Sequence, residues 1–146
     1  MLLIQRCSSN ASDVQTLLAK LASLEKKEKI KVQVLNPQAV YSRLCIQAAI
    51  ETGETKNGLL TAIALTQNFS SALKIAGARD ARDFILVAWG RGVSWKKLAA
   101  ALGLKKLVWG SKDAVSFTHF YGISKEALKV YPLGKLIIEK MALAKV

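Results

Sequence analysis

Six consecutive apolar residues, Phe84 to Trp89 (FILVAW), constrain this chain more than any other stretch. A strand with one wet face alternates apolar and polar side chains. An unbroken apolar run, stopped by Asp83 on one side and Gly90-Arg91-Gly92 on the other, is the pattern of a central strand covered on both faces. Such a strand needs neighbours and covering layers. Ile30 to Leu35 (IKVQVL) alternates and reads as a half-buried strand. Leu2 to Ile4 begins a short buried strand, and Leu104 to Trp109 is the fourth candidate. Between them lie helix-period segments. The expectation is an α/β (α+β) fold over residues 1–146: a single domain, with a small mixed sheet of about four strands packed with several helices. At 146 residues and 51% hydrophobic, the chain is long and apolar enough to bury a core.

The helix boundaries follow from capping chemistry. After a turn at Ser8 to Ser12, Ser12 with Gln15 fits a capping box, and Leu17, Leu18, Leu21 and Leu24 mark an amphipathic helix to about Lys29. Asn36-Pro37 reads as a helix start running to about Ile50, with Val40, Leu44 and Ala48 on one stripe and Tyr41, Cys45 and Ala49 beside it. Ser94 caps a helix of Trp95, Leu98, Ala99 and Leu102 that Gly103 stops. Ser111 to Gly122 is open: Val115, Phe117 and His119 would share one strand face, while Ser111 equally caps a helix. Ser124 caps a short helix, Pro132 breaks it, and Leu133 to Lys145 forms the last.

The most patterned region is Thr55 to Gly77. Leu59, Leu60, Ile63 and Ala64 recur at helical spacing. Asn68 then offers an N-cap to a second helix with Phe69, Ala72, Leu73 and Ala76 on one side, and Gly77 suits a left-handed C-terminal cap. The joint, Thr66-Gln67-Asn68, carries only hydrogen-bonding side chains. Cations flank the pair: Lys56, Lys74, Arg79 and Arg82. Apolar beneath and cationic at its rim, this unit is either ordinary core or a platform for an anion.

The charge balance favours the second use. Net charge is +12, from 22 Lys and Arg against 10 Asp and Glu. An excess of that size selects polyanions, nucleic acid first. Familiar catalytic arrangements are missing from the sequence. Cys7 and Cys45 are distant, one His excludes the usual zinc sets, and no phosphate-loop order occurs. Asp80 and Asp83 sit between arginines and read as exposed turn residues. The expectation is a binding protein that is not an enzyme, with no cofactor, metal or small-molecule substrate; a small enzyme with a dispersed site around His119 is the weaker rival. Met1 to Cys7 is too short for a secretory leader's apolar core. The uncharged run Asn57 to Leu73 is too interrupted to span a bilayer, so a cytoplasmic protein with reduced thiols and no membrane partner is expected.

In the last helix Leu133, Leu136, Ile137, Lys140, Met141 and Ala144 follow the helical period, and Ile138, Ala142 and Leu143 widen the apolar arc. One reading is a well-buried helix. The other is a helix with one side on the domain and another on a partner protein.

Several of these segments, taken together, resemble the accessory subunit family of the KEOPS complex. The shared features run in order: Asn36-Pro37; Thr61-Ala62-Ile63 with Leu65-Thr66; Asn68-Phe69-Ser70-Ser71-Ala72-Leu73-Lys74 to Gly77; the apolar strand from Phe84 to Val87; and the closing Ile137-Ile138-Glu139-Lys140-Met141-Ala142-Leu143. Ala62 and Ser71 stand where the family has acidic residues, and the loop at Thr66 to Asn68 is shortened. The family pattern favours a helix for Ser111 to Phe120. The resemblance implies a non-catalytic subunit that binds the KEOPS kinase-like ATPase and helps present tRNA for threonylcarbamoylation, holding the single-stranded 3′ CCA end. On that reading Lys56, Lys74, Arg79 and Arg82 meet phosphates, and Asn68 and Ser70 at the helix start hydrogen-bond to bases or phosphate. Leu133, Leu136, Ile137, Lys140, Met141 and Ala144 would form the partner-facing stripe. About three engaged phosphates imply a log–log salt slope near −2. The alternative is a generic basic RNA-binding domain without a kinase partner.

Overall fold

The computed structural model describes residues 2–53, 56–65, 68–110 and 114–144. The first half contains β1 (Leu2–Ser8), α1 (Val14–Glu28), β2 (Lys31–Leu35), α2 (Arg43–Gly53), α3 (Lys56–Ala64) and α4 (Phe69–Ala76). The second contains β3 (Phe84–Trp89), α5 (Trp95–Leu102), β4 (Lys105–Lys106), α6 (Ala114–Tyr121), α7 (Lys125–Val130) and α8 (Leu133–Ala144). The chain divides into two compact units, Met1–Pro37 with Gly77–Gly110 and Gln38–Ala76 with Ser111–Val146.

The first unit holds the sheet, in the order β2-β3-β1-β4. The FILVAW run lies inside it, and Phe84 to Ala88 are all buried. Every pairing is antiparallel, so the sheet is not the mixed one that alternating strands and helices lead one to expect. The reason is strand order. β1 and β2 run in the same direction and α1 connects them, but β3 inserts between them and makes antiparallel ladders with both. Val32 to Leu35 are all buried, not alternately so, and the Gln33 amide is satisfied by the Val34 carbonyl at 3.1 Å. The fourth strand is only Lys105–Lys106, shorter than the Leu104 to Trp109 reading.

Cys7, Val32, Val34, Phe84, Leu86 and Ala88 project from the sheet onto Leu17 and Leu21 of α1 and Leu98 and Leu102 of α5. Each fully buried side chain of this size contributes about 1.5–3 kcal/mol. Asp13, not Ser12, caps α1: its Oδ1 accepts from the Thr16 N–H at 2.7 Å. Ser94 caps α5 as expected. Gly103 ends α5 at φ 63°, a left-handed conformation that favours glycine, and a Cβ there would have to displace the exposed Asn10 side chain. Gly77 is not a left-handed cap; it bridges to Leu35.

The second unit is helical. Its core is built from Ile46, Leu59, Leu60, Ile63, Ile137 and Met141, with α2 packed on α3 and α8, and α3 on α4. Asn36-Pro37 yields only a single 3-10 turn, Pro37–Ala39, and α2 starts six residues beyond Pro37 where the Ser42 hydroxyl accepts from the Cys45 N–H at 3.3 Å. The buried stripe of α2 runs through Cys45, Ile46 and Ala49, and Leu44 is 66% exposed. The ambiguous segment is helical over Ala114–Tyr121; residues 111–113 lie outside the described ones. Phe117 and Tyr121 anchor it. Phe117 meets Tyr41 edge-on at 5.4 Å, and the Tyr121 hydroxyl donates to the Ile63 carbonyl at 2.9 Å. Burial pushes the Tyr121 phenol well above its ordinary pKa. Among the described residues no helix is long and apolar enough to cross a membrane.

Candidate nucleic-acid interface

Helix α4 is built as the capping pattern requires. The Asn68 Oδ1 accepts from the Ser71 N–H at 3.1 Å, and the Asn68 carbonyl accepts from Ala72 at 3.0 Å. Ala72 and Ala76 are buried, while Asn68, Ser70, Leu73 and Lys74 are exposed. Ser70 and Lys74 are four residues apart, so they share one helix face. The Asn68 oxygen is committed to the cap, and Ser70, Ser71 and Lys74 are the exposed polar side chains that follow it on the helix. Thr66 and Gln67, and the side chain of Lys56, lie outside the described residues.

Arg79 and Arg82 belong to the sheet-containing unit, in the connection leading into β3. Both are exposed. Arg82 also ties down its own loop. Its guanidinium donates to the Ser9 carbonyl, and its backbone N–H bonds to Asp80 Oδ1 at 2.8 Å. Ser9 in turn donates through its hydroxyl and its N–H to the Ala81 carbonyl, at 2.8 and 2.9 Å. The connection is thus fastened to the end of β1, and part of the Arg82 hydrogen-bonding capacity is spent there.

Asp83 is not the exposed turn residue its neighbours suggest. It is half-buried and takes two hydrogen bonds from Arg6, Nε to Oδ1 at 2.8 Å and Nη2 to Oδ2 at 2.7 Å. The hydrogen bond to Asp83 holds the Arg6 guanidinium above its ordinary pKa. Arg6 is also the exception in the charge distribution. Every other Lys and Arg whose side chain is described is exposed.

The C-terminal stripe is corrected by burial. Leu133, Leu136, Ile137 and Met141 face the interior of the helical unit, where α8 packs on α2, α3, α6 and α7. They are core and not a docking face. Lys140 is exposed, Ala144's side chain lies outside the described residues, and Leu143 is 60% exposed. The exposed described side chains of this helix are Lys135, Glu139, Lys140, Ala142 and Leu143. On α7 no side chain is buried, and Val130 and Tyr131 at its end are exposed at 69% and 46%.

Burial raises the Cys7 thiol to about 12 and also lifts that of Cys45, so neither supplies a thiolate near neutral pH. His119 is exposed on α6. Among the described residues no group of three or more His, Cys, Asp or Glu is placed to hold a metal ion. A cleft of about 420 Å³ between α1 and α5 is lined by Leu24, Lys27, Glu28, Ile30, Lys97 and Leu98 among others. Its charged side chains are Lys27, Glu28 and Lys97.

No family model matches the chain, and no curated protein matches it.

Proposed function

We propose that the chain is a non-catalytic RNA-binding subunit of the KEOPS type, which holds the single-stranded 3′ end of tRNA and docks on a kinase-like ATPase. The observation that carries the RNA part is the exposure of every described Lys and Arg except Arg6, in a chain of net charge +12. A surface of that sign attracts phosphates over a Debye length, about 8–10 Å near physiological salt, and the attraction is sequence-independent. Helix α4 adds local hydrogen-bonding groups, Ser70 and Lys74, suited to an unpaired strand. The tRNA end and the kinase-like partner come from the resemblance around Asn68 to Gly77 and Ile137 to Leu143. The partner surface is assigned to the outward side of α8, Lys140 and Leu143, since the inward stripe is occupied by the helical core.

The test is tRNA binding by a Lys74→Glu/Arg79→Glu variant. The expected result is affinity lowered about tenfold or more in a variant that circular dichroism shows to be folded, since two exposed cations become anions. Wild-type affinity in the folded variant would remove both residue assignments. For the partner, Leu143→Glu with Lys140→Glu should abolish co-purification with the kinase-like ATPase. Retention at the wild-type level would contradict that surface.

A further inference from the structure

Residues 90–110 carry Arg91, Lys96, Lys97, Lys105 and Lys106 and not a single Asp or Glu, in a chain that has 10 acidic residues to 22 basic ones. Folding gathers this acid-free stretch into α5, β4 and their connecting turns, all within the sheet-containing unit. All five cations are exposed. β4 occupies an outer position in the sheet, with Lys106 opposite Cys7 and Lys105 opposite Ser8. Cys7 faces the helix layer, so Lys106 lies on the α5 side and Lys105 on the other; the two lysines straddle the sheet edge.

Lys106 is not a freely waving charge. Its Nζ sits 5.3 Å from the centre of the Trp95 ring, and Trp95 is itself half-buried against the core. A lysine held over an aromatic face has already given up part of its rotamer freedom, so binding an anion costs it less entropy. Four of the five carboxylates of the same unit already accept hydrogen bonds, and the fifth, Glu28, shares a cleft with Lys97. Asp13 accepts from Thr16, Glu25 from Val32, Asp80 from the Arg82 N–H and Asp83 from Arg6.

We propose that the α5–β4 surface is a second RNA contact, holding the sugar–phosphate backbone of folded RNA without reading its sequence. The inference rests on the RNA-binding function proposed above and assigns it a second footprint. Lysine-dominated surfaces fit this ligand. Phosphate contacts draw on Lys and Arg, whereas protein interfaces are depleted in Lys. The ammonium groups are compact charges without the planar fork that reads guanine edges, so the contact positions RNA and does not select bases.

The experiment compares full-length wild type with Lys96→Gln/Lys105→Gln/Lys106→Gln, and separately with Trp95→Leu, binding labelled tRNA across a salt series, with circular dichroism as the folding control. The triple variant is expected to lose about tenfold in affinity near physiological salt and to flatten the log–log salt slope by about 2, at roughly 0.7–0.9 per phosphate contact. Trp95→Leu keeps every charge and is expected to lose a few-fold, because Lys106 is released from its platform. Wild-type binding with an unchanged triple variant overturns this surface and leaves the α4 assignment standing. Absence of tRNA binding by the wild type at any salt overturns the RNA-binding function itself. Loss of binding to phosphatidylserine vesicles with tRNA affinity unchanged would reassign the surface to lipid and overturn the inference.

Discussion

Arg6 and Asp83 join the two central strands at their polar ends: Arg6 lies on β1, Asp83 immediately precedes β3, and two hydrogen bonds of 2.8 and 2.7 Å connect them. The same guanidinium donates to the Trp109 carbonyl at 2.8 Å. One side chain therefore fixes β1, the entry to β3 and the segment after β4. Its third contact falls next to Gly110, the last residue of the sheet-containing unit.

Replacing Asp83 by Asn should destabilise the protein by about 2 kcal/mol. The negative charge and one of the two hydrogen bonds are lost, the Asn amide group faces a guanidinium that has no acceptor to offer it, and Arg6 keeps at most one bond to residue 83 beside the Trp109 carbonyl. Chemical denaturation measures this directly. A change below about 0.5 kcal/mol would mean that the pair behaves as an ordinary exposed ion pair.

The assignment of α8's inner stripe to the core makes a separate prediction. Met141→Ala should cost about 3 kcal/mol, since the side chain is 1% exposed and its removal leaves a cavity. Leu143→Glu, on the exposed side of the same helix, should leave the unfolding midpoint nearly unchanged. The reverse pattern in thermal melts would restore the inner stripe as a docking face.

Asp13 gives α1 a pH-dependent start. The hydrogen bond from the Thr16 N–H holds the Asp13 carboxyl below its ordinary pKa of 3.8. A depressed folded-state pKa contributes stability above the unfolded value and loses it as pH falls through the folded value. The stability gap between wild type and Asp13→Ala should thus be widest near neutrality and close below about pH 4. Denaturation curves at a series of pH values test it; a gap independent of pH would show that the cap does not act through its charge.

The sequence carried the layers of the fold well and their geometry less well. FILVAW could only be an interior strand, and Ser94, Gly103, Asn68 and Ser124 mark helix ends where the chain is punctuated. Strand direction was not legible, because an apolar run reads the same either way and only the insertion of β3 between β1 and β2 makes the sheet antiparallel. Asp83 looked solvated because its partner Arg6 is 77 residues away and the pairing exists only once the two strands are aligned. The wide apolar arc of α8 was ambiguous for a similar reason: four neighbouring helices, not one, absorb it. The Asn68 cap of α4 and the outward positions of Ser70 and Lys74 were legible, since they follow a local rule. The α5–β4 lysines became a surface only when the edge strand placed Lys106 over Trp95.

The most direct test of the central claim is equilibrium binding of one tRNA in two forms, intact and trimmed of its terminal CCA, at the same salt. The account predicts tighter binding of the intact form by about tenfold or more, the value of one or two base contacts at about 1–3 kcal/mol each. Equal affinity for the two forms would contradict it.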